Sequence, residues 1–208
     1  MTKRPVCVVV GVGPGNGAAF ARRFDRDGYA VALLARGEGF SRELATKLTE
    51  ARAYACDVAD AAAVERAFDA IRRDLGDADV VVYNAGSGVW GTFDDISAAD
   101  IEASWRVNTL GMFLVAKQVV PAMQRAGRGS FVIVGATASR RGGAKTAAFA
   151  QAKAAQRTLA ESLARQLWPA GIPVAVIIID GVVALPRTRA RMHDKPDSFF
   201  VAPDDVAA

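Results

Sequence analysis

The run Val6-Cys7-Val8-Val9-Val10 climbs into Gly11-Val12-Gly13-Pro14-Gly15-Asn16-Gly17, and Ala18-Ala19-Phe20-Ala21-Arg22-Arg23-Phe24 follows with no spacer. β-branched residues favour a strand, clustered glycines permit a sharp turn, and the last segment has helical apolar spacing. Strand, tight turn and helix in direct succession leave few folds open. Gly11, Gly15 and Gly17 place no side chain between the loop and a ligand. The helix that begins there points free N–H groups and its positive end at whatever fills the turn, and a phosphate is the natural occupant. The plain alternative is a turn whose glycines serve packing only. The strand before and the helix after are the context that a phosphate turn requires, so the stretch predicts nucleotide binding.

Further apolar runs alternate with helical patterns. Tyr29 to Ala35, Ala51 to Val58, Val80 to Tyr83, Ser130 to Gly135 and Ile172 to Ile179 read as strands. Ser41 to Glu50, with Ser41 as cap, reads as a helix, as does Ala61 to Leu75 with Asp60 as cap. Longer helices are expected from Ser97 to about Gln124 and from about Lys145 to Leu167. The strands are continuous apolar runs rather than alternating ones, which is the pattern of a parallel sheet covered on both faces. The expected architecture is α/β, a three-layer doubly wound parallel sheet (Rossmann fold) in one domain over 1–208, with strand order 3-2-1-4-5-6 and ligands beyond the carboxyl ends of the strands. Arg36, Asp57, Asn84, Ala136-Thr137 and Asp180 fall at those ends.

Composition narrows the function classes. The 208 residues are 51% hydrophobic and 23% charged, which is globular. The net charge of +4 comes from scattered residues without the basic stripe and matching motif of a nucleic-acid binder. The two cysteines, Cys7 and Cys56, lie in apolar segments and read as buried free thiols. With one histidine, His193, little is left for a metal site, and none is expected. Met1-Thr2-Lys3-Arg4-Pro5 runs straight into the first strand, and no apolar run approaches the ~20 residues of a membrane helix. The expectation is a cytoplasmic protein with neither membrane nor nucleic-acid partner.

The chain resembles the short-chain dehydrogenases/reductases across essentially its whole length. The spacing Gly11-x-x-x-Gly15-x-Gly17 is theirs, and Asp57-Val58, Asn84-Ala85-Gly86, Asn108 and Lys153 match further motifs in order. The resemblance implies a nicotinamide dinucleotide across the strand tips, held by Gly11, Gly15, Asn16, Gly17, Arg36, Asp57, Val58, Asn84, Ala85, Gly86, Lys153, Gly181 and Val183. NAD-binding members carry a carboxylate after the second strand. Here Ala35-Arg36 stands there. A guanidinium pairs with a 2′-phosphate, so NADP is expected over NAD.

In the family, a tyrosine one helical turn before the lysine gives the substrate its proton, beside a serine upstream. The matching positions here are Phe149 and Ala136, leaving Asn108 and Lys153 of the catalytic set. Thr137 or Ser139 is a replacement for the serine if the loop shifts, and Tyr83 is a remote source of a phenol. After the sixth strand, Gly181 matches, while Asp180 replaces a proline and Leu185 a threonine. Pro186 to His193, with three arginines, is expected to form a mobile lid. Ala202 to Val206 opens one more helix, and the chain stops where the family continues. The implied function is an NADP-dependent oxidoreductase acting on a small carbonyl or alcohol, as a homodimer or homotetramer. The alternative is a non-catalytic NADP-binding sensor or assembly protein.

Overall fold

All five residues of β1 (Val6–Val10) are buried because the strand lies between two others and helices cover both of its faces. In the computed structural model, which describes residues 3–208, β1 is joined by β2 (Ala30–Ala35), β3 (Ala51–Ala55), β4 (Val80–Tyr83), β5 (Ser130–Ala136) and β6 (Val174–Ile179). These strands form one parallel sheet in the order β3-β2-β1-β4-β5-β6. Val8 pairs with Ala32 on one side and Val81 on the other. The fold is the doubly wound α/β architecture that the apolar runs predict.

The helices are α1 (Asn16–Arg26), α2 (Glu38–Ala45), α3 (Ala61–Asp74), α4 (Ala98–Trp105), α5 (Gly111–Ala126) and α6 (Ala147–Leu167). Beyond the sheet come β7 (Val182–Val183), α7 (Pro186–Arg191), β8 (Phe200–Val201) and α8 (Pro203–Val206). Period-two burial splits the core. Val6, Val8 and Val10 meet Phe68 and Ile71 of α3 and Val115 and Met123 of α5 on one face. Cys7 and Val9 meet Phe20 of α1 and Leu44 of α2 on the other. Cys7 and Cys56 are both buried and free. Among the described residues no helix is long and apolar enough to cross a membrane.

Local chemistry moves several boundaries. The second helix starts at Glu38 behind Gly37 and ends at Ala45, so Ser41 is buried inside it and caps nothing. Its early end follows from a tether, because Asp25 accepts the Thr49 N–H at 2.8 Å and turns the chain towards β3. The third strand stops at Ala55, where Asp57 accepts the N–H of Ala59 at 3.0 Å. The helix expected from Ser97 does begin there, with Asp100 and Ser97 bonding each other's main-chain N–H at 2.9 and 3.2 Å. It is broken by a π turn at Arg106–Leu110 between α4 and α5. The segment expected as a lid forms α7, and β7 and β8 pair parallel on either side of it.

Asp60 caps α3, its carboxylate accepting from Ala62 and Ala63 at 2.9 and 3.3 Å. Asp60→Ala should lower stability by about 1 kcal/mol, read as a reduced urea midpoint with unchanged slope.

Candidate functional site

A cleft of about 630 Å³ opens at the carboxyl ends of β1, β2, β4 and β5. Its floor is the glycine turn from Gly11 to Gly17. Arg36 stands at the β2 exit, Asp57 and Val58 at the β3 exit, and Asn84, Ala85 and Gly86 at the β4 exit. Ala136, Phe149 and Lys153 line the opposite wall. The structure thus brings together every predicted site residue except two. Asn108 lies just behind the wall, and Gly181 packs beside Val201 outside the cleft.

Two of the glycines are needed for close main-chain contact as well as for the turn read from the sequence. Gly11 has φ +91°, and an added Cβ would lie 2.5 Å from the Cα and N of Ala85. Gly17 presses on the Gly11 carbonyl, with an added Cβ 2.6 Å from it. Both therefore permit backbone to touch backbone. Gly15 does face the cleft, but the side chain of Leu185 packs directly on it. α1 starts there without a side-chain cap, and while Ala18 donates its N–H to the Gly13 carbonyl at 3.1 Å, those of Asn16 and Gly17 remain free for a ligand. Asn84 braces the turn, donating its amide to the Gly11 carbonyl at 2.7 Å. The Asn16 Oδ1 is buried beside the cleft with no partner.

Lys153 is the chemical centre of the wall. It is 5% exposed, and its Nζ donates to the Val134 carbonyl at 2.8 Å and to Gln156 Oε1 at 2.9 Å. Burial lowers its pKa from about 10.5 to about 8. Asn108 sits in the π turn, fully buried. Its Nδ2 donates to the carbonyls of Ser87 and Ser104 at 2.6 and 2.7 Å. Two acceptors fix the amide's orientation and leave Oδ1 without a partner. A Cβ added at Gly86 would lie 3.3 Å from that Oδ1 and 3.7 Å from Lys153 Nζ. Beside Gly86 the site therefore offers one free acceptor and one free ammonium N–H, a match for a hydroxyl group.

The rest of the wall is apolar. Phe149 packs against Gly88, and its ring lies 5.5 Å from that of Trp90 at 30°. The Lys153 Nζ is 5.9 Å from the Phe149 centroid. Thr137 spends its hydroxyl on Asp180, and Ser139 Oγ accepts the Ala136 N–H at 3.1 Å. Neither residue lines the cleft, and neither stands in for the serine at Ala136. Tyr83 is fully buried and donates to the Val107 carbonyl, with its pKa pushed well up by burial. Its phenol does not reach the cleft. Val183, Leu185 and Arg187 close the remaining side, while Arg189 pairs with Asp197 and His193 is exposed.

Sequence reasoning missed Gln156 and Ser87, and it did not foresee that Leu185, named there only for replacing a threonine, packs on Gly15. The signal for Gln156 was present, since it is a polar residue three positions after Lys153 on an alanine-rich helix. Ser87 acts through its carbonyl, which no side-chain pattern reveals.

Residues 5–195 match the family model described as short chain dehydrogenase. The chain is 32% identical over 183 residues to the 3-oxoacyl-acyl-carrier-protein reductase MabA of Mycobacterium tuberculosis, covering 88% of this chain and 71% of that protein. It is 30% identical over 215 residues to the D-threitol dehydrogenase of Mycolicibacterium smegmatis, covering 98% and 83%. Among solved structures, a metagenomic short-chain oxidoreductase in complex with NADP superposes with a TM-score of 0.80 at 28% identity, over 99% of this chain and 87% of that one.

Lys153 makes stability depend on pH. Its folded pKa lies below the unfolded one, so between about pH 8 and 10.5 the unfolded chain holds the extra proton and stability rises with pH. The full effect is roughly 3 kcal/mol, at 1.36 kcal/mol for each of the 2.5 units between those values. Denaturant curves across this window should show a rise in the parent relative to Lys153→Met. A parallel pH dependence in the two proteins would refute it.

Proposed function

This chain belongs to the short-chain dehydrogenase family, and from that premise we propose that it is an NADP-dependent oxidoreductase acting on a small carbonyl or alcohol. One observation carries the proposal: a single cleft gathers the glycine turn, Arg36 and Lys153 at the strand tips, with Asn108 buried directly behind its wall. The family binds NAD(P), and the residues present fit such a group. The uncapped start of α1 suits a diphosphate. The free Asn108 Oδ1 and the remaining Lys153 N–H suit a ribose hydroxyl. Arg36 is exposed at the β2 exit, where its guanidinium would meet a 2′-phosphate. Asp57, with one oxygen already on the Ala59 N–H, would bound the adenine side.

A bound nicotinamide supplies hydride chemistry. The residues of this chain orient the ligand, exclude water and hold charge. Lys153 keeps a positive charge next to the ribose position, and the Phe149–Trp90 wall keeps the reacting end apolar. In this reading Phe149 and Ala136 stand where the family has its tyrosine and serine, so a proton donor and a hydrogen-bond donor are missing. That substitution favours a second reading, a protein that binds NADP for sensing or assembly without turnover.

NADPH should bind about tenfold or more tightly than NADH, the equivalent of one charge-assisted contact. Arg36→Ala should remove most of that difference in calorimetry, and equal affinities in the parent would contradict the NADP preference.

Turnover separates the two readings. The parent should reduce a panel of simple ketones slowly or not at all, followed as NADPH oxidation. Phe149→Tyr with Ala136→Ser should raise the rate by about 10² or more, the lower end of general-acid catalysis. A parent already turning over at about 1–10³ per second would show that another group supplies the proton.

A further inference from the structure

We propose that Gln156 is a positioning residue, whose side-chain amide ties the Lys153 ammonium to the main chain of the π turn and holds it as a fixed charge. Gln156 Oε1 accepts from Lys153 Nζ at 2.9 Å, and Gln156 Nε2 donates to the Asn108 carbonyl at 2.8 Å. The amide's orientation is forced, because an ammonium only donates and a carbonyl only accepts. The two side chains are three positions apart on one face of α6, as a helix requires for contact.

Packing does not call for a glutamine here. Gln156 is 1% exposed, and its helix buries Ala152 and Ala160 nearby. An apolar residue would fill this space without placing polar atoms away from water, a burial that is costly unless both ends are bonded. Both ends are bonded, one to Lys153 and one to Asn108. With the Val134 bond, Gln156 leaves Lys153 a single free N–H.

The groups around the ammonium are neutral. β5 presents the Val134 carbonyl, the β4 exit presents Gly86, the π turn presents Asn108, and α6 presents Phe149 and Gln156. Tyr83, the titratable group on β4, turns its hydroxyl to Val107. Burial alone shifts Lys153, downward, with no carboxylate acting on it. The Gln156 oxygen is therefore the one side-chain acceptor that favours the charged form. An amide does not take up a proton near neutral pH, so the bridge passes none on to Asn108.

The inference deepens the reading of Lys153 as a ribose ligand, and its test needs no cofactor. The full-length protein is labelled with 15N-lysine, and the Lys153 Nζ resonance, assigned by its loss in Lys153→Met, is followed against pH. The parent midpoint should lie at about 8. Gln156→Met, close in volume, should lower the midpoint by about one unit or more, a tenfold loss of proton affinity. Gln156→Glu places a carboxylate against the ammonium and should raise it by at least as much. A merely structural role would change melting temperature and leave both midpoints in place. Midpoints equal to the parent's in the folded variants overturn the proposal, and if Gln156→Met does not fold, Gln156→Glu decides. NADPH calorimetry on the parent is separate. Absence of binding would remove the cofactor reading while leaving the titration result standing.

Discussion

A continuous line of hydrogen bonds runs beneath the cleft and joins β1 to β5 through groups that are not themselves in the sheet. The Gly11 carbonyl accepts the Asn84 amide, and three residues further on the main chain is held in turn, the Ser87 carbonyl accepting from both Asn108 and Ser104. The Asn108 carbonyl accepts from Gln156, and Lys153 donates to Gln156 and to Val134 on β5. Each link places the next. If the glycine turn rose away from Ala85, Asn84 would lose its acceptor and the β4 exit would be free to move. The cleft is thus a polar scaffold under a thin lining, and its shape depends on amides pairing with main-chain carbonyls rather than on ion pairs.

That choice of groups has an electrostatic result. Amides satisfy buried carbonyls without bringing in charge, so no carboxylate acts on the Lys153 ammonium to neutralise it. Together with Arg36 at the mouth and the open start of α1, it gives the cleft a positive bias along its length. An anionic ligand is favoured at both ends, while the Phe149–Trp90 wall offers it nothing polar.

The sheet was legible because its strands are apolar on both faces, and a run such as Val80-Val81-Val82-Tyr83 has no other way to be buried. Asp60 and Ser97 were legible because capping is local chemistry. Ser41 misled because a serine buried within a helix looks, in sequence, like one that starts it. The glycine turn was recognised from its local chemistry, but a second demand on it was hidden. Gly11 and Gly17 answer to Ala85 and to each other's backbone, contacts made only when the fold closes. Gln156 and Ser87 stayed hidden because their partners are distant in sequence and are main-chain or amide groups, which leave no pattern of residue types. The ribbon of β7 and β8 was missed because strands of two residues carry no periodicity.

The π turn at Arg106–Leu110 is a matter of phase. In a regular helix each residue advances the face by about 100°, so a wider turn resets the clock for everything after it. α4 keeps one angular origin and α5 another. Asn108 can therefore reach the Ser87 and Ser104 carbonyls behind the cleft wall while Met112, Val115, Val119 and Met123 still face the sheet. Deleting one residue from this turn would let the backbone close to the ordinary helical pitch and would take Asn108 off the Ser87 and Ser104 carbonyls. The stripe that follows would stay on the sheet as far as Met123, so the loss would be felt beside the cleft rather than along α5.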